Sequence, residues 1–449
     1  MQALLAFCSH PGKVEMRSIV AIVLIIFMLG CSESQETAEQ ETSPNVLLLL
    51  IDTLRADHVH CYGYGRDITP TLDSLASEGI MWANVQGQAA WTLPTMSSIF
   101  TGLTERQHLA GIREGQQYAL SDELLTLPEI FRQNGYQTAG FYTVPVMGQG
   151  YGFDQGMDHC DLEGCEVIFP ADVMVDKYLN WSDTLMQDGT PYFTVLHFFD
   201  PHFQYAPPVP YSSMFSSMSH PGSRWAVCAA SSMIDGWSNG QISRSDLSRM
   251  MDLYDGEIAY LNDQLTRLFS GMRNRNMLDN TLVVVIADHG EEFAEHGGVT
   301  HGVQLHSEIT GVPLIITGPG IPEDSINTVL AGQVDVLPTI LSYAGIPAPE
   351  NIYGMDLLSS DIPEDRILPA SGYYSPVSNY ITVRQGSRKL FWDTETGDAF
   401  MFDLSNDYLE QDTLPADSLL VAEAEYYWAT PPHVNPDPMK NVEERVEMF

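Results

Sequence analysis

The chain has 449 residues, of which 44% are hydrophobic, so it can bury a large core and is not a small disulfide-stapled fold. Its 59 acidic residues against 20 basic ones give a formal net charge of -39. This charge argues against a nucleic-acid partner, because phosphates would be repelled, and it favours a heavily solvated acidic surface. An anionic substrate would therefore need a local positive centre, which a bound metal ion can supply.

Residues 16–31 begin with a positive charge and continue as an apolar run of about a dozen residues, the length of an export signal rather than a membrane span. The run ends in Leu-Gly-Cys, which resembles the bacterial lipoprotein signal. We therefore expect residues 1–31 to direct export of the protein. We also expect Cys31 to carry a lipid, which would be the only contact between the protein and the membrane. The expected location is the bacterial cell envelope, in the periplasm or at the outer membrane. A plain cleaved signal and a membrane anchor are the alternatives, and both also imply export.

Residues 32–44 contain no core-forming side chain and predict a disordered acidic tether. The six cysteines are scattered and form no Cys-x-x-Cys pair, which argues against zinc-ribbon and thioredoxin-like folds. Cys160 and Cys165 are close enough in the sequence to form a small disulfide loop if the compartment is oxidising.

Apolar runs and amphipathic stretches then follow one another in a pattern typical of an α/β domain built on a mostly parallel sheet. The predicted strands are residues 45–51, 136–143, 192–199, 283–287 and 312–317, and the predicted helices are residues 70–79, 253–268 and 336–344. Residues 205–240 are rich in Pro, Ser and Gly and predict a long surface excursion that forms one wall of a site.

Beyond this domain, which we place at residues 45–345, the pattern changes. Short alternating runs at 380–384, 388–393 and 400–403 are separated by turn signals and predict an antiparallel meander. We therefore expect residues 346–449 to form a small C-terminal α+β subdomain.

Two of the predicted strands end in residues that bind metals. Asp288 and His289 follow the central valine-rich strand, and Asp52 follows the first strand. Because ligands gather at the carboxyl ends of the strands in open α/β sheets, these three side chains could meet at one divalent cation.

A stretch from Trp91 to Gly102 is rich in small hydroxyl residues and predicts a turn into a helix N-terminus, where unpaired N–H groups favour an anion. The strand at 192–199 runs directly into Asp200-Pro201-His202.

Taken together, residues 45–64, 91–102, 200–208, 253–268 and 288–320 resemble the sulfatase family of the alkaline-phosphatase-like superfamily, in family order. The matching blocks span nearly all of residues 45–404. The resemblance implies a doubly wound sheet, one divalent metal ion and hydrolysis of a sulfate or related ester on a small molecule or glycan. Calcium is the metal of many sulfatases, whereas this donor set also accepts manganese, magnesium or zinc.

By this resemblance, Asp52, Asp288 and His289 match the metal ligands of the family, and Thr92 stands at the nucleophile position, facing the same ion. The alternative for Thr92 is a helix N-cap.

His202 matches the substrate-contacting His of the Asp-Pro-His block. His301 lies where many relatives carry a Lys or His that contacts the substrate or protonates the leaving group. His296 and His306 are expected at the rim or behind the ligands.

The nucleophile signature departs from that of sulfatases, which begin a Cys/Ser-x-Pro-x-Arg motif with a residue that is oxidised to formylglycine. Here the motif starts at Thr92 and ends at Met96. Thr cannot become formylglycine by that route, and Met96 cannot donate the hydrogen bonds of the signature Arg. The motif is closer to that of relatives with a Thr nucleophile, the nucleotide phosphodiesterases and phosphoethanolamine transferases.

We therefore expect an exported, metal-dependent hydrolase of sulfuric or phosphoric esters, in which a metal lowers the pKa of the Thr92 hydroxyl. The alternatives are a phosphodiesterase or phosphoethanolamine-type transferase that uses Thr92, and a catalytically silent lipoprotein that binds sulfated or phosphorylated glycans.

Overall fold

A computed structural model of the chain describes residues 43–113, 115–185, 189–215, 224–372 and 379–434. The expected export signal at 1–31 and nearly all of the expected tether at 32–44 lie outside these residues. Among the residues described, no helix combines the length and apolar character needed to cross a membrane.

The main element is a sheet of eight strands. In chain order these are β1 (Asn45–Ile51), β2 (Gly79–Trp82), β3 (Gln137–Phe141), β4 (His159–Asp161), β5 (Tyr192–Phe198), β6 (Thr281–Ala287), β7 (Leu314–Thr317) and β8 (Ser325–Asn327). Their order across the sheet is β8-β2-β7-β6-β1-β5-β3-β4. Only β7 runs against its neighbours, and the rest are parallel. The predicted doubly wound, mostly parallel fold is confirmed.

The centre of the sheet explains the apolar runs. β1 lies between β6 and β5, and Ile51 at its end pairs with Ala287 on one side and Phe198 on the other. These three strands are buried along almost their whole length, so both faces of each must be apolar. Because their last residues are in register, the residues that follow them leave the sheet at the same edge.

Eleven α-helices are described. They are α1 (Pro70–Ser77), α2 (Thr92–Thr101), α3 (Glu105–His108), α4 (Leu127–Gln133), α5 (Glu163–Glu166), α6 (Ala171–Leu185), α7 (Ala230–Ser238), α8 (Arg244–Arg273), α9 (Ser307–Thr310), α10 (Val336–Tyr343) and α11 (Ser418–Ala429). Helices α1 and α6 pack on α8, whereas α4 and α10 pack on α2.

Helix α8 is longer than the predicted 253–268, because a polar first part precedes its apolar stripe. It begins at a capping box, in which Ser243 accepts from the Asp246 amide and Asp246 accepts from the Ser243 amide.

The predicted C-terminal meander is confirmed as a second, antiparallel sheet. Its strands are consecutive in space and in sequence: β9 (Ile367–Ser371), β10 (Tyr380–Gln385), β11 (Arg388–Asp393), β12 (Ala399–Asp403) and β13 (Leu414–Pro415). Apolar residues of this sheet pack against Ala90, Leu305 and Ile309 of the main domain, and a separate apolar cluster joins the sheet to α11. The sheet therefore lies beside the loop that leads into α2.

Two predictions need correction. The helix predicted at 70–79 ends at Ser77, and the next residues form β2, whose four residues are too few to show a period. Gly79 permits this strand, since a Cβ there would lie 2.2 Å from the Ile316 carbonyl oxygen. Residues 205–240 are not merely a surface excursion: they contain α7, and the Tyr205 amide donates to the Ala226 carbonyl at 2.8 Å.

Cys160 and Cys165 are both free thiols in this structure, so the disulfide loop considered above is not formed.

Candidate active site

Two buried carboxylates leave the central strands side by side. Asp52 follows β1 and Asp288 follows β6, and both side chains are completely buried. Asp288 Oδ1 accepts from the amides of Thr53 at 3.1 Å and His289 at 2.7 Å. Asp288 Oδ2 and both carboxylate oxygens of Asp52 have no hydrogen-bond partner among the described residues. Three buried carboxylate oxygens therefore receive no hydrogen bond from the described residues.

His289 completes this strand-end cluster of Asp52, Asp288 and His289. Its Nδ1 donates to the Gly290 carbonyl at 2.9 Å, which leaves the lone pair on Nε2. Nε2 lies 3.2 Å from Asp288 Oδ2 and 3.7 Å from Asp52 Oδ1. A lone pair facing two carboxylates is unfavourable unless a cation lies between them.

Thr92 is the first residue of α2, and Trp91, not Thr92, occupies the N-cap position. The Thr92 hydroxyl is buried and lies 3.3 Å from His289 Nε2. The N-cap alternative is therefore wrong, and the hydroxyl faces the strand-end cluster from the first turn of a helix. Four residues later, Met96 is fully buried in the apolar core and contributes no polar group.

His202 and His301 lie beside the cluster, as the sequence predicts. The His301 ring centroid is 4.3 Å from that of His289 and 4.9 Å from that of His202. His202 Nδ1 donates to the Phe203 carbonyl, and its buried Nε2 has no partner among the described residues. The structure thus brings all six predicted site residues together.

Glu291 holds His301 in place, a role that the sequence analysis missed. Its Oε1 lies 2.9 Å from His301 Nδ1, and its Oε2 accepts from the Tyr205 hydroxyl at 2.9 Å. Glu291 lies only three residues after Asp288, but nothing in that spacing shows whether it points into the site.

His197 is a second residue that sequence reasoning missed. It lies within β5 and is fully buried, and Nε2 lies 3.6 Å from Asp52 Oδ2. In the part of the chain that the structure describes, neither ring nitrogen has a hydrogen-bond partner. A polar residue in an otherwise apolar strand, two positions before the strand meets its loop, is the signal that could have found it.

Burial dominates the electrostatics of the site. It raises the pKa of Asp52 well above the ordinary value, and the charges of Asp288 and Glu291 raise it further. Burial also raises the pKa of Asp288 and lowers the pKa of His289 to about 4. The pKa of His197 is lowered to about 3 by burial, so this neutral imidazole cannot compensate Asp52.

The strand-end cluster fits a divalent cation. Its ligand atoms lie within 4.8 Å of one another, and it offers carboxylate oxygens without partners together with an imidazole lone pair. Hard oxygens with one nitrogen suit calcium, magnesium, manganese or zinc.

Another group of metal-ligand types, His296, His306 and Glu308, does not fit an ion. The two imidazoles are stacked, with centroids 3.6 Å apart and planes 6° apart. Lone pairs lie in the ring planes, so parallel stacked rings cannot direct them at one ion. His296 instead bonds Glu308 at 2.6 Å and the Glu410 carbonyl at 3.0 Å.

Comparison with known proteins gives a consistent result. A family model described as Sulfatase matches residues 44–346. An ulvan-active sulfatase of Formosa agariphila is 26% identical over 440 residues, covering 88% of this chain and 82% of the relative. An arylsulfatase of Clostridium perfringens is 22% identical over 443 residues, covering 81% of this chain and 88% of the relative.

Among solved structures, a phosphonate monoester hydrolase from Silicibacter pomeroyi superimposes with a TM-score of 0.69 at 17% identity, covering 85% of this chain and 93% of its own. A second structure, solved in complex with its substrate D-glucosamine-2-N,6-O-disulfate, also gives a TM-score of 0.69 at 18% identity. The match covers 86% of this chain and 96% of that structure's chain. At these identities the likeness shows the fold.

Proposed function

Because the chain belongs to the sulfatase family, whose members are ester hydrolases, we propose that it is a metal-dependent hydrolase of sulfuric or phosphoric esters that uses the Thr92 hydroxyl as its nucleophile. The single observation that carries this proposal is the position of that hydroxyl, 3.3 Å from the lone-pair nitrogen of His289 and beside three carboxylate oxygens that have no hydrogen-bond partner among the described residues.

Asp52, Asp288 and His289 would hold the metal. A divalent ion bound there lowers the pKa of a neighbouring hydroxyl and neutralises charge on the transferred group. By resemblance to the family we propose one ion, with calcium first and manganese, magnesium or zinc as alternatives. The protein part of the site contributes the orientation: Asp288 is fixed by two backbone amides and His289 by the Gly290 carbonyl.

The surrounding residues supply the remaining steps. The Thr92 hydroxyl, whose lowered pKa would release its proton to solvent, would attack sulfur or phosphorus in line and break the bond to the leaving alcohol. Water would later add to the transferred group, release it as the acid anion and return a proton to the Thr92 oxygen. His301, oriented by Glu291, would pass a proton to the departing oxygen, and Glu291 would stabilise the imidazolium. His202, whose Nε2 has no protein partner, would contact the anionic group of the substrate.

The relatives suggest the substrate class. Their names include an ulvan-active sulfatase, an N-acetylglucosamine-6-O-sulfatase and phosphonate monoester hydrolases. Thr at the nucleophile position favours phosphoryl over sulfuryl transfer, so we propose that phosphate diesters or phosphonate monoesters are cleaved faster than aryl sulfates. A small-molecule or glycan ester fits either chemistry.

The test is the mass of the protein after brief exposure to a phosphate diester and an acid quench. A phosphoryl adduct on the Thr92 peptide supports the proposal, and the Thr92→Ser variant should also form one. Turnover by Thr92→Ala at the wild-type rate, with no adduct in either protein, would instead favour a water nucleophile.

A catalytically silent glycan-binding protein would give no turnover with aryl sulfate, phosphate diester or phosphonate, although metal still binds. Such a protein needs no hydroxyl oriented at the ligands, and for this reason the position of Thr92 favours the enzyme.

We also propose that the protein is exported and anchored in the cell envelope by a lipid on Cys31, on the basis of residues 16–31 alone. Wild type should then fractionate with membranes and Cys31→Ser should be released. A wild-type protein that is wholly soluble in the periplasm would reject the anchor.

A further inference from the structure

A buried glutamine side chain joins the loop that leads into Thr92 to the end of β6. Gln333 is completely buried and begins a short 3-10 turn that runs directly into α10. Its Oε1 accepts from the Gln88 amide at 2.9 Å, and its Nε2 donates to the Ala287 carbonyl at 2.8 Å and to the Asp288 carbonyl. Gln88 lies four residues before Thr92, and Asp288 belongs to the strand-end cluster. One side chain therefore connects the main chain of a cluster residue with the chain that precedes the Thr92 hydroxyl.

Gln88 makes a reciprocal connection with its own side chain. Its Oε1 accepts from the Val334 amide at 3.2 Å, and its Nε2 donates to the Pro369 carbonyl in β9 at 3.1 Å. Gln88 is 1% exposed, so both side chains of this amide pair, Gln88 and Gln333, are shielded from water. Each side-chain atom faces a main-chain N–H or carbonyl, whose donor or acceptor character is fixed, and the orientation of both amides is therefore determined.

The bonds of Gln333 restrain the loop before Thr92. The oxygen of the Gln333 amide and its nitrogen are engaged at the same time, with one segment on each side. The loop cannot move away from β6 without breaking one of these bonds in a region where water does not replace it. The Gly87 amide also donates to the Thr310 carbonyl at 2.7 Å, but this bond reaches α9 rather than β6.

We propose that Gln333 is a positioning residue, which holds the Thr92 hydroxyl at its place beside the strand-end cluster and so aligns it for attack. The distance that it would maintain is the 3.3 Å between Thr92 Oγ1 and His289 Nε2. A displacement of about 1 Å at a reacting group can cost about 10²-fold in rate, so a small shift of the loop would matter. The effect on turnover rests on the proposed function, whereas the fastening of residues 86–92 does not.

Two variants of Gln333 remove the connection in different ways. Gln333→Met has a similar length but no amide, so it releases both segments. Gln333→Asn keeps the amide but is one methylene shorter, so it cannot reach Gln88 and the end of β6 together. If Gln333 only satisfied buried main-chain groups, both variants would lose stability but keep their turnover per folded molecule.

The matched control is Asn262→Leu, at another buried amide side chain. Asn262 Oδ1 accepts from the Thr71 amide at 2.9 Å and so joins α8 to α1, and neither helix contributes a residue to the candidate site. This variant should cost stability through the same kind of loss, a main-chain amide without its acceptor, and it leaves the loop before Thr92 untouched.

Steady-state kinetics with a phosphate diester, in protein loaded with Mn²⁺, separate a positioning role from a structural one. Gln333→Met should lower kcat about 10²-fold and Gln333→Asn about tenfold, with KM within about threefold of wild type, because alignment matters most in the transition state. Asn262→Leu should keep kcat within about twofold of wild type per folded molecule. Gln333→Met should still bind Mn²⁺, since the Asp288 carboxylate keeps its bonds from the Thr53 and His289 amides.

Amide hydrogen exchange of the metal-free full chain measures the fastening without turnover. In Gln333→Met, exchange in the peptide that covers residues 86–92 should accelerate by about tenfold or more, and exchange in α1 should stay within about twofold of wild type. In Asn262→Leu the order should be reversed, with faster exchange in α1 and wild-type exchange in residues 86–92.

Wild-type kcat in Gln333→Met, or an equal loss of kcat in Asn262→Leu, would overturn the positioning role. Unchanged exchange in residues 86–92 of Gln333→Met would overturn the fastening itself. If Gln333→Met does not fold, Gln333→Asn carries both comparisons. A wild type that hydrolyses none of the esters would remove the proposed function, and accelerated exchange in Gln333→Met would then still support the fastening.

Discussion

Two buried clusters of charged and imidazole groups have opposite character. In the strand-end cluster of Asp52, Asp288 and His289, three carboxylate oxygens have no hydrogen-bond partner and the imidazole lone pair faces them. In the second, which we call the junction cluster (His296, His306, Glu308, Lys389 and Glu410), Lys389 Nζ lies 3.0 Å from Glu410 Oε1 and His296 lies 2.6 Å from Glu308.

This difference indicates that the strand-end cluster serves function and the junction cluster serves stability. The charges of the junction cluster are paired within the protein, although His306 Nδ1 and Glu410 Oε1 have no hydrogen-bond partner among the described residues, and the cluster joins the C-terminal sheet to the loop that carries His301. The carboxylates of the strand-end cluster have no cationic side chain beside them among the described residues, and a bound cation would supply the missing charge. Residue type alone does not distinguish the two, because both contain imidazoles and carboxylates.

The largest effect is expected from removing a ligand of the strand-end cluster. Asp288→Ala and His289→Ala should each lose the bound metal and nearly all activity, because two remaining protein ligands hold an ion too loosely. Metal content of the purified proteins measures the loss. His60→Ala, in an exposed group with Asp67 and Asp73, is the control and should keep its metal. Full metal content in both cluster variants would remove the site assignment.

Thr92→Ala should lower kcat by several orders of magnitude, since the nucleophile is deleted, and should leave metal binding nearly intact. Thr92→Ser should keep substantial activity because the hydroxyl remains. Steady-state kinetics with a phosphate diester and an aryl sulfate measure both variants. If Thr92 were only a structural residue, Thr92→Ala would cost about 1 kcal/mol of stability and leave kcat unchanged.

In the junction cluster, the largest effect should fall on stability. Lys389→Met leaves the Glu410 carboxylate buried without its cation and should lower the free energy of unfolding by about 3–5 kcal/mol. Denaturant unfolding measures this, and activity per folded molecule should stay close to wild type. The control is Lys177→Met, at a partly exposed ion pair with Asp161, which should cost less than about 1 kcal/mol. Equal costs for the two variants would contradict the comparison.

A smaller effect concerns the pH dependence of the junction cluster. Burial alone would lower the pKa of His296, but the hydrogen bond and charge of Glu308 outweigh it and raise that pKa to about 9. Stability from this pair is therefore complete below about pH 6.5 and lost as the pH rises through about 9.

Glu308→Gln should accordingly be less stable than wild type by about 1–2 kcal/mol near pH 6, a value reduced because solvent reaches part of the imidazole. The difference should shrink as the pH rises, and thermal unfolding at several pH values measures it. A constant difference across that range would show that protonated His296 does not hold the pair together.

The smallest effect has the opposite sign. In protein stripped of metal by a chelator, Asp52→Asn should raise the free energy of unfolding by about 1 kcal/mol, because it removes one of the mutually repelling carboxylates. With metal present, the same variant should show less stabilisation by the ion than wild type. Destabilisation of the metal-free protein by this substitution would mean that Asp52 is compensated by a group within the protein.

Much of the fold could be predicted from the sequence because its signals are local. The buried central strands appear in the sequence as apolar runs, and an acidic residue directly follows each of β1 and β6. The motif beginning at Thr92 and the block ending at His202 could be matched to a family without knowing any contact.

What the sequence did not determine depends on contacts between distant segments. Gly79 lies in a strand that a four-residue pattern cannot reveal, and its close approach to Ile316 exists only in the folded chain. His197 and Glu291 belong to the site because of the direction in which β5 and the 288–301 loop present their side chains.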